Sequence, residues 1–389
     1  MSEVVIVEAV RTPLGRRNGW LRETHPVRLA SDVLCEALAR ANLDPIHLDH
    51  VIMGCVSQAG EQTFNLARNT VLDAGLPITI PATTIDFQCG SSQQAVHLAA
   101  AMVGSGQVDV VLAGGVENMS RVPMGCSMMG QQPFTERMMD VYNLVPQGIA
   151  ADEIAQKWGI SRKEVDRIGY ESHQRAAKAT QEGWLKREIL PMAGVDDEGK
   201  PIIADRDQGI RPNASLEKMA TLNAVFTDGG VTTAGNSSQI SDGAAAVLVT
   251  TREKAAELGL QVRARIVATV TVGSDPHLML TGPIDATRKV LARAGMTVDE
   301  IDLFEVNEAF ASVIAMWHKE IGADMAKVNV HGGAIALGHP LGASGARLMT
   351  TLLHALETHD KRFGLQTMCC GGGMATGTII ERVTVVGSK

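Results

Sequence analysis

This chain repeats itself, and that limits its possible folds more than any single motif does. The stretch "ALARANLDPIHLDHVIMGCV" from Ala37 aligns with "VLARAGMTVDEIDLFEVNEA" from Val290, sharing the helix end "LARA" and, at one common offset, Asp49 with Asp302. Each copy closes a helix, turns and enters an apolar strand. Further on, "VDVVLAGGVENMS" from Val108 and "FGLQTMCCGGGMATG" from Phe363 stand at nearly the same offset, each an apolar strand running into glycines. Matches that recur in the same order are the mark of two copies of one α/β unit. Strand-like runs such as "VVIVEAV", "HVIMGC" and "VVLAGG" alternate with helical periodicity such as "SSQQAVHLAAAMVGSG", which predicts helices covering a largely parallel sheet.

Between Arg121 and Gln239 the texture changes to Met-rich loops, a polar helix "RKEVDRIGYESHQRAAKATQEGW" and an acidic turn "VDDEGKP". This reads as an insertion. The expected organisation is an N-terminal half made of 1–120 and 240–262, an inserted loop domain at 121–239, and a C-terminal half at 263–389, with "SDGAAAVLVTTREKAAELG" resuming the first half as strand plus helix.

Charge and cysteine usage narrow the function. A net charge of -8 supplies no global positive field for nucleic acid or anionic lipid, so an anionic ligand must be met by a local site. Trp, Tyr and Phe total only 13, leaving little for base-stacking platforms. Cys35, Cys55, Cys89, Cys126, Cys369 and Cys370 form neither C-x-x-C nor Cys/His zinc spacing, so they read as reduced thiols, with no metal expected. The apolar run in "MSEVVIVEAVRTPLGRR" is only strand-length, and no stretch approaches the ~18–20 apolar residues of a membrane span. A cytoplasmic enzyme is expected, the sequons at Asn118, Asn213 and Asn236 are then chance matches, and the terminal "GSK" is not a peroxisomal address.

Four stretches carry candidate chemistry. In "TTIDFQCGSSQQAVHLAA" a strand-like run breaks at Gly90 and a helix follows, placing Cys89 at a helix N-terminus where the dipole and free N–H groups favour a thiolate. The bland alternative is a small packing cysteine. His339 lies in the glycine-dense "NVHGGAIALGHPLGASGARLM", where an imidazole could act as general base or simply be a backbone-bonded loop histidine. That stretch lacks the Lys of a phosphate-binding loop. Cys369 and Cys370 end an apolar strand before "GGGMATG", and strand alternation lets at most one of them face a given site. "FEVNEAFA" puts Asn307 and Glu308 after a buried strand, as site residues or as a structural hydrogen-bond network.

Taken together, "DFQCGSSQQA", "NVHGGAIALGHPLGASGAR", "TMCCGGGMATG", "GGVENMS", "VNEAFA" and "TAGNSSQISDGAAA" resemble the thiolase family over nearly the whole chain. The resemblance implies a duplicated, layered αβαβα core with an inserted loop domain. It also implies Cys89 as the acyl-accepting nucleophile, His339 as its base, and Cys369 as the second thiol, shuttling the proton of the acetyl-CoA α-carbon. Asn307 resembles the residue holding a water that completes one oxyanion hole with His339, and the N–H groups of Cys89 and Gly371 resemble a second. Ser238, Met279 and Phe310 match positions along the pantetheine tunnel, and Cys370 carries no implied role. The family acts on acyl-CoA with coenzyme A as substrate and no tightly bound cofactor. It assembles as homodimers or homotetramers, some docked to a hydratase/dehydrogenase partner.

Two departures bear on specificity. Relatives with "MGxTAE" contrast with "PQGIAADEIA" here, so the segment covering the acyl group differs, and Asn223 stands before "AVF" where relatives often place a basic residue. The expected activity is a degradative 3-ketoacyl-CoA thiolase (acetyl-CoA C-acyltransferase) of fatty acid beta-oxidation or related lipid metabolism, for medium, branched or bulky acyl groups. An acetoacetyl-CoA-forming acetyl-CoA acetyltransferase is the alternative. A ketoacyl synthase would not need Cys369, and a noncatalytic acyl-CoA carrier would not need all four of Cys89, His339, Asn307 and Cys369.

Overall fold

The computed structural model describes residues 2–383; the terminal "GSK" lies outside the described residues. Its strands are β1 (Val4–Arg11), β2 (Gly15–Arg16), β3 (His50–Gly54), β4 (Ala82–Ile85), β5 (Val110–Asn118), β6 (Met192–Val195), β7 (Pro201–Ala204), β8 (Ser241–Thr251), β9 (Ala264–Gly273), β10 (Leu303–Val306), β11 (Phe363–Cys370) and β12 (Met374–Arg382). The helices are α1 (Pro26–Ala41), α2 (Leu66–Asp73), α3 (Ser91–Gly104), α4 (Glu136–Tyr142), α5 (Gln147–Lys157), α6 (Arg162–Gln181), α7 (Leu216–Ala220), α8 (Arg252–Glu257), α9 (Gly282–Ala294), α10 (Ala311–Ile321), α11 (Ala334–Leu337) and α12 (Ser344–Thr358).

The repeated sequence folds twice in the same way. α1 and α9 each begin with proline in the first turn and close on a left-handed residue, Asn42 at φ 53° and Gly295 at φ 66°. The matched aspartates do the same work. Asp49 accepts hydrogen bonds from the N–H groups of Asp109 and Val110 at the start of β5. Asp302 accepts from those of Arg362 and Phe363 at the start of β11.

The strands order as β10-β11-β12-β9-β1-β8-β5-β3-β4, with β2 added on β8. Only two residue pairs join β1 to β9, so the halves meet at a narrow seam. The expectation of a largely parallel sheet is corrected: only β3–β4, β3–β5 and β10–β11 run parallel, and the remaining pairs are antiparallel. Each half ends in a strand that runs back against its predecessor, β12 directly after the tight glycine turn at 371–373 and β8 after the long insertion, and both pair antiparallel.

Three apolar layers result. Val33, Leu34 and Leu38 of α1 pack with Leu66 of α2 and Leu112 of β5; Val290 of α9 and Trp317 of α10 pack with Leu365 and Ile379. Between them, Ala95, Val96 and Ala99 of α3 and Met349, Leu352 and Leu353 of α12 form the middle layer, with Ile52, Val111 and Val247 on one side and Leu303 and Ile380 on the other. This middle pair packs backbone to backbone. A β-carbon on Gly345 would collide with the backbone nitrogen of Gln93 in α3; beside the pair, one on Gly115 of β5 would collide with the carbonyl of Gly342 in the turn before α12. Gly345→Ala is therefore expected to cost about 3 kcal/mol in denaturant unfolding. Gly273→Ala, where an added carbon meets nothing within 4 Å, should change stability by less than about 0.5 kcal/mol.

Candidate active site

Cys89 sits on a tight elbow between β4 and α3. Gln88 takes a left-handed backbone at φ 50°, its N–H donates to Asp86 Oδ1 at 2.7 Å, and Ser91 Oγ accepts from the Phe87 N–H at 2.9 Å. Gly90 caps α3 and has no room for a side chain, because a β-carbon would lie 2.6 Å from Cys370 Sγ. Cys89 is 5% exposed. Burial pushes its thiol up to about 11, opposed by the backbone N–H groups of Gly371 and of Cys89 itself, which point at the sulfur, while the charges of Glu117 and Asp86 push the same way as burial. The elbow thus offers two donors where negative charge would form.

His339 enters from the opposite half. Its N–H is shared by Gln239 O at 3.1 Å and Ser241 Oγ at 3.2 Å. Its Nδ1 lies 2.6 Å from Ser344 Oγ, the first residue of α12. Ser344 donates its only hydroxyl proton to Pro340 O at 2.8 Å, so it must accept at His339, and Nδ1 carries the proton. That leaves the Nε2 lone pair as the acceptor and the basic position of the ring. Burial, and then the charge of Arg347, hold the imidazole down at about 3. Asn307 Nδ2 lies 3.4 Å from His339 Nε2, and its buried Oδ1 has no partner among the described residues.

β11 delivers the other thiols. Cys369 packs with Leu278, Met279, Ala309 and Ala311, whereas Cys370 packs with Cys89, Met368, Phe87 and Met374. Alternation along the strand separates them as expected, but the charge of Cys89 reaches both. Burial first, then Cys89, raises each thiol. Glu308 takes the structural alternative, accepting from Ser172, Asn329 and the Ile335 N–H.

The three tunnel candidates lie on neighbouring segments. The Ser238 N–H donates to Ala309 O at 3.0 Å. Phe310 bridges to Ser237 and meets Phe226 edge to face at 6.0 Å between ring centres. Met279, left-handed at φ 27°, is buried beside Cys369. A cleft of about 410 Å³ opens along the same loop, lined by Arg211, Lys218, Met219, Leu222 and Gly235. Sequence reasoning looked for its charge at Asn223 and missed Arg211 and Lys218, whose only signal is two cations within "IRPNASLEK". It also missed Ser344, the first residue of the helix that follows His339. The sequons at Asn118 and Asn236 are buried and hydrogen-bonded. Among the described residues no group of three or more His, Cys, Asp or Glu is placed to hold a metal ion.

The family model "Thiolase, N-terminal domain" matches residues 4–253, and "Thiolase, C-terminal domain" matches residues 260–382. The chain is 46% identical over 393 residues to the steroid 3-ketoacyl-CoA thiolase FadA6 of Mycobacterium tuberculosis, covering 98% of this chain and 95% of that protein. It is 44% identical to a 3-ketoacyl-CoA thiolase of Pectobacterium carotovorum, covering 98% and 100%. The crystal structure of the Bacillus anthracis acetyl-CoA acetyltransferase superposes with a TM-score of 0.91 at 36% identity, covering 98% of this chain and 99% of that one.

A thiol held near 11 and an imidazole held near 3 are both neutral at rest. Alkylation of Cys89 by iodoacetamide should therefore climb about tenfold per pH unit from pH 6 to 9, since only the thiolate reacts. A plateau from pH 6 upward would mean a preformed thiolate–imidazolium pair. Ser344→Ala, which frees the other tautomer, should lower kcat/KM about 10–100-fold, read in steady-state kinetics.

Proposed function

The chain belongs to the thiolase family, and we propose that it is a 3-ketoacyl-CoA thiolase, an acyltransferase that cleaves 3-ketoacyl-CoA with free CoA into acetyl-CoA and a shortened acyl-CoA. The observation that carries this reading is a nucleophile elbow whose two backbone N–H groups face the Cys89 sulfur, with a second thiol, Cys369, near enough to feel the charge of Cys89, and a buried histidine whose Nδ1 meets Ser344 and whose Nε2 meets Asn307.

The cycle needs only these groups. Cys89 gives its proton to His339 Nε2 and attacks the 3-keto carbon. The N–H groups of Cys89 and Gly371, already aimed at the sulfur, receive the oxyanion. The C2–C3 bond breaks. The departing enolate oxygen is held by the new Nε2–H of His339 and a water accepted by Asn307 Oδ1, and its carbon takes the proton of Cys369. CoA then returns a proton to Cys369 and attacks the acyl group, and Cys89 leaves, recovering its proton from His339. A high thiol value for Cys369 suits this task, since a weak acid trades protons with a carbanion without staying ionised.

Arg211 and Lys218 support a place for the nucleotide end of CoA, with Ser238, Met279 and Phe310 along the pantetheine between that cleft and Cys369. The halves assigned from the sequence are supported by the paired caps Asp49 and Asp302. An open sheet edge at β4, with Phe64 92% and Ile78 75% exposed nearby, supports a homodimer or a dimer of dimers. Six free cysteines support a reducing, cytoplasmic setting. The degradative direction, within fatty acid or related lipid breakdown, rests on relatives whose names specify 3-ketoacyl-CoA. The acetoacetyl-forming alternative rests on the likeness to an acetyl-CoA acetyltransferase.

Thiolysis across a ladder of 3-ketoacyl-CoA substrates from acetoacetyl upward tests the reading. CoA-dependent loss with a best substrate longer than acetoacetyl is expected, abolished in Cys89→Ser; no loss along the ladder overturns it. Asn307→Ala, which releases the water that donates to the enolate oxygen, should lower kcat about 10²–10³-fold, as loss of an oxyanion donor does. Light scattering should give the mass of two or four chains, and a monomer would contradict the edge-pairing argument.

A further inference from the structure

Two glutamine side chains stand over the reacting centre. A β-carbon placed on Gly371, whose N–H points at the Cys89 sulfur, would meet Gln88 Oε1 at 3.1 Å and Gln147 Nε2 at 3.3 Å. The two carboxamides come from distant segments, the nucleophile elbow and the first turn of α5, yet they converge on the glycine that flanks an acyl group held on Cys89. The amide nitrogen of Gln88 reaches only its neighbour Asp86, at 3.3 and 3.4 Å. Among the described residues, Gln88 Oε1 and the whole carboxamide of Gln147 have no protein partner. Gln147 belongs to "PQGIAADEIA", the segment that departs from the thiolase pattern.

We propose that Gln88 and Gln147 select the acyl group, and that the enzyme prefers 3-ketoacyl-CoA substrates bearing a neutral oxygen, a hydroxyl or carbonyl, within a few bonds of the 3-keto carbon. This rests on the thiolase reading above and names the substrate class of that same site. A plain hydrocarbon chain lying against both amides would strip their water and return nothing. A hydroxyl both donates and accepts, so it satisfies one amide carbonyl and one amide NH₂ whichever way each is turned. The charged groups nearby argue against a carboxylate. Asp86 faces Gln88 from the elbow, Glu117 acts on Cys89 from β5, and His277 is occupied by Glu153 at 2.6 Å and by Asn143 O. Phe87 and Met374, partly buried beside Cys89, leave apolar surface for the carbon skeleton.

The test compares kcat/KM for thiolysis of 3-ketohexanoyl-CoA, 5-hydroxy-3-ketohexanoyl-CoA and 3-ketoadipyl-CoA in the wild type, Gln147→Met and Cys89→Ser. Gln147 is partly exposed at a helix start, so its methionine variant should fold, and iodoacetamide labelling of Cys89 confirms an assembled site. A hydroxylated-to-alkyl ratio of about ten or more is expected in the wild type, falling at least about tenfold in Gln147→Met. A smaller wild-type ratio, a ratio unaltered in the variant, or a preference for the adipyl substrate overturns the inference while leaving the thiolase reading in place. If no substrate is cleaved above the Cys89→Ser background, the thiolase reading itself fails.

Discussion

The contact between α3 and α12 holds the site together. These are corresponding helices of the two repeats, buried in the same layer, and their N-terminal ends carry Cys89 and Ser344. Their backbones approach so closely that Gly345 lies against the nitrogen of Gln93, and Ser92 Oγ accepts from the Ala346 N–H at 2.8 Å. A helix pair spaced by ordinary side chains would hold these two N-terminal ends farther apart, since a glycine contact is what lets two backbones touch. Duplication therefore has a structural consequence: one half carries Cys89, the other His339 and Cys369, and a glycine-lined seam joins the helices that follow Cys89 and His339.

Burial determines the protonation states at that point. It raises Cys89 and Cys369 and lowers His339, so the resting groups are neutral and the charge appears only as bonds change. Fixed donors then matter more than a preformed thiolate. The N–H groups of Cys89 and Gly371 are in place beforehand and cost no reorganisation, and the chain from His339 to Ser344 to Pro340 fixes which nitrogen is basic. Arg347, buried and 3.5 Å from Glu305, adds a positive charge that further disfavours imidazolium.

Much of this was legible in the sequence because its signals are local. The alignment of Asp49 with Asp302 pointed to two copies of one unit, the break at Gly90 anticipated an elbow, and alternation anticipated the separation of Cys369 from Cys370. What local pattern does not carry is which distant segments meet. Strand direction followed from how each half closes, through β8 and β12, and periodicity is blind to that. The direction of the Ser344 proton depends on a carbonyl four residues back. Arg211 and Lys218 acquire meaning only from the cleft they share, and Gln88 and Gln147 only because both overhang Gly371.

In the proposed cycle Cys89 carries the acyl group between the two half-reactions. Mass spectrometry of the peptide containing Cys89, after mixing protein with a 3-ketoacyl-CoA in the absence of free CoA, tests it most directly. The account predicts an added acyl mass on Cys89 that disappears when CoA is supplied. An unmodified Cys89 under turnover conditions, or an acyl group found on Cys369 or Cys370 instead, would contradict it.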